Sequence, residues 1–257
     1  MTKDTNSGRD AAVIHLPHAS TVIPDDVRDQ FSLTDAELSD EVRIMTDHLT
    51  DELFSAPGAA AIRFPVSRLV LDPERFESDD QEIMAGLGMG VVYTRTSRGS
   101  PLRRTLTPQE REQLLERWYR PHHADLTAAV AAAVVKRGRC LVIDAHSFPP
   151  HPLPYELDQD PSRPDICIGT DKFHTPAWLA ELATTQCQEA GWTVEVNRPF
   201  AGALVPMAYY GVDARVSAIM IEVNRGLYLD EATGMRSSGF DICRQKLAVV
   251  IRSLIGG

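Results

Sequence analysis

A chain of 257 residues with 43% hydrophobic and 24% charged residues has the composition of an ordinary globular protein, long enough for one large domain or two small ones. Its formal net charge is −10 and no Lys/Arg cluster is dense, which argues against a nucleic-acid partner. The polar first ten residues contain no signal-peptide core, and no apolar run reaches the roughly 20 residues that span a bilayer. Four widely spaced cysteines indicate reduced thiols, so we expect a soluble cytoplasmic protein without a membrane partner.

The first part of the chain predicts a strand and then a helix. Residues 11–16 form a short apolar run, and His18 follows in the loop after it. Residues 40–54 carry apolar side chains at three- and four-residue spacing, which predicts a helix with Asp47 and Asp51 on one face. Such a pair usually belongs to a solvated acidic surface.

Two further apolar runs follow, at residues 59–64 and 66–71, and predict two more strands. Arg68 and Arg75 lie near the ends of the second run. A guanidinium group in such a place is a good clamp for a carboxylate, although the local pattern by itself favours surface salt bridges.

A long helix is predicted to start at Thr107, as N-cap, with Pro108 in its first turn. It should continue to Gly138, with a break at Pro121. The aromatic residues and histidines along it, His123 among them, have a spacing typical of core positions.

The central strand is predicted at residues 140–147, an apolar run that ends in Asp144 and His146. Both side chains lie on one strand face at the carboxyl end, which is the edge where open α/β sheets bind ligands. They are well placed to hold a metal ion, but a buried histidine capped by an aspartate fits this pattern equally well. His15, inside the first strand, is interpreted as a packed core residue.

The numerous prolines between residues 148 and 164 predict a long ordered loop that forms one wall of a pocket. Three strands and a final helix are then predicted at residues 165–170, 193–196, 217–223 and 239–254. Glu222 lies inside the last strand, where an unpaired carboxylate is costly to bury, and this favours a functional role. Without a repeat or a linker, we expect one domain over residues 11–257, preceded by a flexible segment at 1–10.

Short motifs occur along nearly the whole chain: Pro17-His18-Ala19-Ser20, Thr46-Asp47, Asp72 with Arg75, Asp144-Ala145-His146-Ser147, Asn197-Arg198-Pro199 and Glu222-Val223-Asn224-Arg225. In this order and spacing they resemble the N-formylglutamate amidohydrolase family, which is similar to the zinc carboxypeptidases and aspartoacylases. The resemblance implies an α/β fold, namely a single-domain three-layer α/β/α sandwich around a central mixed sheet.

The resemblance also implies a hydrolytic zinc site. One Zn²⁺ ion would be bound by His18, Asp47 and His146, with an open position for water. The implied catalytic residues are a general base, a residue that orients a ligand, and a stabiliser of the developing oxyanion: Glu222, Asp144 and His123. For His123, packing is the alternative. Substrate binding is implied for Arg68, Arg75, Thr170, Asn197 and Arg225.

The implied reaction is hydrolysis of the amide bond of an N-acyl amino acid, with N-formyl-L-glutamate as the family's substrate and glutamate and formate as products. One position departs from the family's Asp-x-Asn-Arg pattern, because this chain has Asp72-Pro73-Glu74-Arg75. The added negative charge of Glu74 should disfavour a dianionic substrate. A non-catalytic small-molecule-binding protein and a zinc exopeptidase that acts on short peptides are the alternatives, and the sequence is compatible with a homo-oligomer.

Overall fold

The computed structural model describes residues 11–256, which are built around a six-stranded sheet. Its strands are β1 (Ala11–Leu16), β2 (Ala60–Arg63), β3 (Cys140–Phe148), β4 (Ile166–Gly169), β5 (Val194–Val196) and β6 (Val216–Asn224). Their order across the sheet is β2-β1-β3-β6-β4-β5. The first four in this order are parallel, whereas β4 pairs antiparallel with β6 and β5 pairs parallel with β4. The sheet is therefore mixed, as predicted. Two further strands, β7 (Leu229–Asp230) and β8 (Met235–Arg236), pair with each other.

Helices cover both faces of the sheet and are α1 (Asp35–Met45), α2 (Thr50–Leu53), α3 (Pro108–Leu114), α4 (Arg120–Arg137), α5 (Ala177–Glu189) and α6 (Phe240–Gly256). On one face, Leu126 and Val130 of α4 belong to a core cluster with Val142 of β3. On the other face, α5 and α6 share a second cluster with Ile143 of the same strand. The predicted α/β/α architecture is confirmed. Among residues 11–256, no helix combines the length and the apolar composition needed to cross a bilayer.

The alternation of side chains along β3 explains how one strand serves both core layers and the site. All nine of its residues are buried, as expected for a strand in the middle of a largely parallel sheet. Val142 points to the α4 side and Ile143 to the opposite side. Because the period of a strand is two residues, the side chains of Asp144 and His146 point to the same side as Val142. They lie closer to the carboxyl end of β3, outside the apolar cluster.

The helix predicted at residues 40–54 is divided in two, so that prediction was wrong. The chain leaves α1 after Met45 and enters α2 at Thr50. Leu49 has a φ of 64°, in the left-handed region that a continuous helix does not use. Apolar spacing continues through the break and conceals it in the sequence. The break places Asp47 in the connection and Asp51 on α2, so the two carboxylates do not share a helix face.

Two other local predictions are corrected. Residues 66–71 form a largely buried loop instead of a strand, and their apolar side chains belong to a third core cluster that also contains Phe64 and Tyr93. Their apolar character therefore reflects burial and not sheet pairing. The long helix is not broken at Pro121, because a π-helical turn at Leu115–Tyr119 joins α3 to α4. The prediction of a flexible segment at 1–10 lies outside the described residues.

Candidate active site

Side chains from three neighbouring parallel strands meet at the carboxyl edge of the sheet. β3 lies between β1 and β6, so that His15 is in register with Asp144, and His146 is in register with Glu222. His18 follows β1 at the same edge. All five side chains are buried. This is the edge at which open α/β sheets generally bind ligands, and it is the edge that the sequence analysis proposed for Asp144 and His146.

Asp47 reaches this edge because the chain breaks between α1 and α2. Its backbone N–H donates to the carbonyl oxygen of His18 at 3.0 Å, which fixes the connection against the end of β1. Its Oδ2 atom lies 3.2 Å from Nδ1 of His146 and 3.7 Å from Nδ1 of His18. Its other oxygen, Oδ1, accepts a hydrogen bond from Nη2 of Arg225 at 3.0 Å. Asp47 therefore faces both histidines with one oxygen and is held by a cation through the other.

The atoms of His18, Asp47 and His146 fit a metal ion. Nε2 of His18 donates to Oδ1 of Asp72 at 2.8 Å, which leaves the lone pair on Nδ1. That Nδ1 atom is buried and has no hydrogen-bond partner among the described residues. One ligand atom from each of the three residues lies within 4.8 Å of the others. Ligands at about 2.0–2.2 Å from a tetrahedral zinc ion are about 3.3 Å apart, and the distances of 3.2 Å and 3.7 Å from Oδ2 of Asp47 to the two Nδ1 atoms are near this value.

The electrostatics of the cluster also favour a cation. Burial alone would lower the pKa of His146, but the carboxylates of Glu74 and Asp144 hold it well above its usual range. Nε2 of His146 lies 3.1 Å from Oε1 of Glu74 and 3.2 Å from Oδ1 of Asp144. The cluster thus stabilises a positive charge on the imidazole, and a divalent cation satisfies the same carboxylates.

Glu222 is the carboxylate of β6 that faces the cavity beside His146. Burial raises its pKa to about 8, and the negative charges of Asp47 and Glu74 contribute to this rise while His146 opposes it. A carboxylate with a pKa near neutrality can both accept and return a proton, which is what a general base in hydrolysis requires.

Asp144 connects two histidines beneath the cluster. Its Oδ1 atom lies 2.8 Å from Nδ1 of His15 and also contacts His146, and its Oδ2 atom accepts a hydrogen bond from the backbone N–H of Leu204 at 2.9 Å. Nε2 of His15 is 2.9 Å from Nε2 of His122 on α4, whose pKa burial lowers to about 2. His15 is buried, as predicted, but it is part of a hydrogen-bonded chain. Asp144 has the geometry of a residue that orients His146.

Asp72 has a comparable place behind His18, and the sequence interpretation gave it no role. It is fully buried, and its Oδ2 atom accepts hydrogen bonds from Nη2 of Arg68 at 2.9 Å and from the hydroxyl of Tyr93. Burial opposes its ionisation, but His18 and the arginines Arg68 and Arg75 hold the pKa of Asp72 well below its usual range. The signal that would have identified Asp72 is its position two residues before Glu74 in the Asp-x-Asn-Arg-like motif.

The three arginines predicted to bind substrate all line one cavity of about 560 Å³, together with His18, Asp47, His146 and Glu222. Arg225 is buried, and its guanidinium group binds Asp47, the carbonyl oxygen of Ile44 and the hydroxyl of Ser147. Its contacts make it a holder of Asp47 instead of a substrate ligand. Arg68 and Arg75 are more exposed and remain candidates for substrate binding.

Thr170 and Asn197, also predicted to bind substrate, do not line the cavity. They bond to each other: the backbone N–H of Thr170 donates to Oδ1 of Asn197 at 2.8 Å, and Nδ2 of Asn197 donates to the Thr170 hydroxyl at 2.7 Å. Both residues lie away from the cavity because β4 runs antiparallel to β6, so that its carboxyl end points away from the site. His123 is outside the cavity as well, because its Nε2 atom lies 2.9 Å from the carbonyl oxygen of Pro73. This contact agrees with a packing role and not with an oxyanion ligand.

Loops supply the walls of the cavity. The proline-rich segment after β3 contributes one wall, as predicted, and the 3₁₀ turn at Ile83–Leu87 and the segment before Ala201 contribute others. Their apolar lining residues include Ile83, Met84, Leu153, Leu157 and Phe200, and Phe148 at the end of β3 adds to the same walls. The cavity therefore has a charged floor and largely apolar walls.

Comparisons with known proteins identify the family and the fold of the chain. The profile of the N-formylglutamate amidohydrolase family matches residues 10–229. The N-formylglutamate deformylase of Pseudomonas putida is 29% identical over 234 residues, which cover 88% of this chain and 84% of that protein. The crystal structure of N-formylglutamate amidohydrolase from Ralstonia eutropha superimposes with a TM-score of 0.81 at 26% identity, covering 97% and 93% of the two chains. A protein of Agrobacterium tumefaciens shares the fold with a TM-score of 0.65 at 18% identity, covering 96% and 92%.

Proposed function

The chain belongs to the N-formylglutamate amidohydrolase family, and on that premise we propose that it hydrolyses the amide bond of N-formyl amino acids with the help of a bound zinc ion. Membership makes the chain an amidohydrolase, a hydrolase of carbon–nitrogen bonds other than peptide bonds. N-formyl-L-glutamate, after which its relatives are named, is the reference substrate.

The observation that carries the proposal is the unpartnered, buried Nδ1 atom of His18 beside Asp47 and His146, with Glu222 facing the same cavity. A bare imidazole nitrogen in a buried polar cluster is costly unless it binds something. Two histidines and one carboxylate are a ligand set that catalytic zinc sites use, with one position left open.

The residues of this chain then have distinct parts in the reaction. Zinc bound to the cluster would polarise the formyl carbonyl group and lower the pKa of a water molecule. Glu222 would accept a proton as the water oxygen bonds to the formyl carbon, and would return it to the amine nitrogen as the carbon–nitrogen bond breaks. The products are formate and the free amino acid. Asp72 and Asp144 hold the rings of His18 and His146 in position.

The test combines metal content with formate release from the purified full-length protein. We expect one zinc ion per chain, turnover of N-formyl amino acids, loss of turnover after chelation and recovery when zinc is added. Asp47→Asn should lose both metal and turnover. Asp51→Asn is the matched control, because Asp51 lies four residues later on α2 and pairs with Arg63 outside the cluster.

Three outcomes would contradict the proposal. Tight zinc binding without turnover of N-formyl, N-acetyl or dipeptide substrates would leave a binding protein. Faster turnover of dipeptides than of N-formyl amino acids would indicate an exopeptidase. Retention of full zinc content by the Asp47 variant would exclude Asp47 as a ligand.

A further inference from the structure

The cations of the cavity determine how many carboxylates a substrate can place there. Apart from the two histidines of the cluster, the cationic side chains that line it are Arg68, Arg75 and Arg225. N-formyl-L-glutamate carries two carboxylates, so a site that matches it needs two separate cationic positions with free N–H groups.

Arg225 does not offer such a position. It is 3% exposed, its Nη1 atom donates to Ile44 and its Nη2 atom to Asp47, and its Nε atom donates to Ser147. Its charge is balanced by Asp47 at 3.0 Å. A substrate carboxylate would have to displace a buried pair to reach it, and this is unfavourable.

Arg68 and Arg75 together form one position, which we call the arginine clamp. Both approach the same oxygen of Asp72, Arg68 with Nη2 at 2.9 Å and Arg75 with Nε at 3.9 Å. Nε of Arg68 donates to Tyr93, and Nε of Arg75 donates to the carbonyl oxygen of Met89. Within residues 11–256, no hydrogen bond engages Nη1 of Arg68 or either terminal nitrogen of Arg75. Because both guanidinium groups face the single negative charge of Asp72, one of their two positive charges is left for a substrate carboxylate.

Glu74 adds a negative charge next to this clamp. Its carboxylate lies within 3.8 Å of His15 and His18 and 3.1 Å from His146, and it lines the cavity. None of the described arginines or lysines pairs with it. By contrast, Glu156, another acid of the cavity, is neutralised by an ion pair with Arg163. The positive charge of the histidine cluster is thus already shared by Asp47, Glu74 and Asp144, so a second substrate carboxylate would meet this acidic group or an apolar wall.

We propose that this site selects N-formyl amino acids with an uncharged side chain, whose single carboxylate binds the arginine clamp while Glu74 disfavours a second carboxylate. The inference rests on the proposed function, since it concerns the substrate of the same reaction. The apolar walls that include Phe148, Leu153 and Phe200 suit such side chains.

N-formyl-L-glutamine and N-formyl-L-glutamate are the decisive substrate pair, because they have nearly the same shape and differ by one charge. With zinc-loaded full-length protein, we expect kcat/KM for formylglutamine to exceed that for formylglutamate by about tenfold, which corresponds to about 1.4 kcal/mol. Glu74→Gln should bring the ratio close to one, mainly by improving formylglutamate. Calorimetric titration with the products should show tighter binding of glutamine than of glutamate, and Glu74→Gln should remove this difference.

Two control variants separate the charge effect from general damage. Asp80→Asn removes one exposed negative charge outside the cavity and should leave the ratio unchanged. Arg75→Met should lower kcat/KM for both substrates by a similar factor, because both use the clamp. A wild-type preference for formylglutamate, or a ratio that Glu74→Gln does not alter, would overturn the inference while leaving deformylation intact. Absence of formate from both substrates would overturn the proposed function and this inference with it.

Discussion

Asp72→Asn is the most informative single change, because one buried carboxylate contacts both the proposed zinc ligand His18 and the arginine clamp. The wild-type carboxylate accepts hydrogen bonds from His18, Arg68, Tyr93 and the backbone N–H of Glu74. An asparagine keeps the size of the side chain, but it removes the charge and replaces one acceptor oxygen with a donor NH₂ group. Whichever way the amide is oriented, at least one donor loses its acceptor.

The magnitude follows from burial. Removal of one partner from a buried ion pair costs about 3–5 kcal/mol, because the other charge remains buried without compensation. Arg68 is that charge here, since only 11% of its side chain is exposed. Loss of the hydrogen bond that fixes the ring of a metal-binding histidine lowers metal affinity by about 10–100-fold. We therefore expect a loss of about 3–5 kcal/mol in the free energy of unfolding of the metal-free protein and weaker zinc binding.

Urea denaturation of the metal-free protein measures the first effect, and competition with a zinc chelator measures the second. Asp241→Asn is the control, because its pair with Arg244 is exposed and such pairs contribute about 0–1 kcal/mol. The pKa of Asp72 is held low in the fold, so its stabilisation is present above its ordinary pKa of 3.8 and is lost as the pH falls through the folded pKa. A loss below 1 kcal/mol at neutral pH, together with unchanged zinc affinity, would refute this reasoning.

Three further predictions concern the same site. Glu222→Gln should retain one zinc ion per chain and reduce formate release by about 10²–10⁴-fold, as measured by metal analysis and a steady-state assay; unchanged turnover would remove Glu222 from the role of base. In the metal-free protein the folded state keeps the proton of Glu222 up to about pH 8, whereas the unfolded chain releases it near 4.5, so this group should lower the free energy of unfolding as the pH rises between these values. The full effect is about 5 kcal/mol, and the difference between wild-type and Glu222→Gln denaturation curves across this pH range isolates it; parallel curves would contradict it. Arg225→Met should weaken zinc binding by about 10–100-fold, because it leaves Oδ1 of Asp47 buried without its cation, and Arg225→Lys should restore it only in part, since lysine lacks the guanidinium fork; full zinc affinity in the methionine variant would argue against this role.

The sequence was most informative where a residue's place depends on a strand. Apolar runs that end in polar residues predicted β1, β3 and β6, and the rule for carboxyl edges of strands predicted that His18 shares an edge with Asp144 and His146, whereas the role of Glu222 was implied by the family resemblance. These positions follow from the two-residue period of a strand and from the direction of the chain.

Other features depended on contacts that a local pattern does not contain. Asp47 enters the cluster only because the chain turns at Leu49, although the apolar spacing suggests an uninterrupted helix. The direction of β4 is set by the preceding proline-rich loop, which stays at the carboxyl edge as a wall of the cavity and ends at Asp165 beside Asn224. The next strand must run back from that edge, and this carries Thr170 and Asn197 away from the site.

The proposed catalytic groups and the walls of the cavity belong to different parts of the fold, so the substrate can change while the reaction stays the same. The groups that we propose to act on the amide come from the carboxyl ends of β1, β3 and β6 and from a connection fixed to them by hydrogen bonds. The walls come from separate loops that include Ile83, Leu153 and Phe200. Exchange of those loops can change which amino acid enters without rebuilding the hydrolytic centre. Directed evolution toward new N-acyl substrates should therefore succeed in libraries confined to the loops, while the strand ends are kept constant.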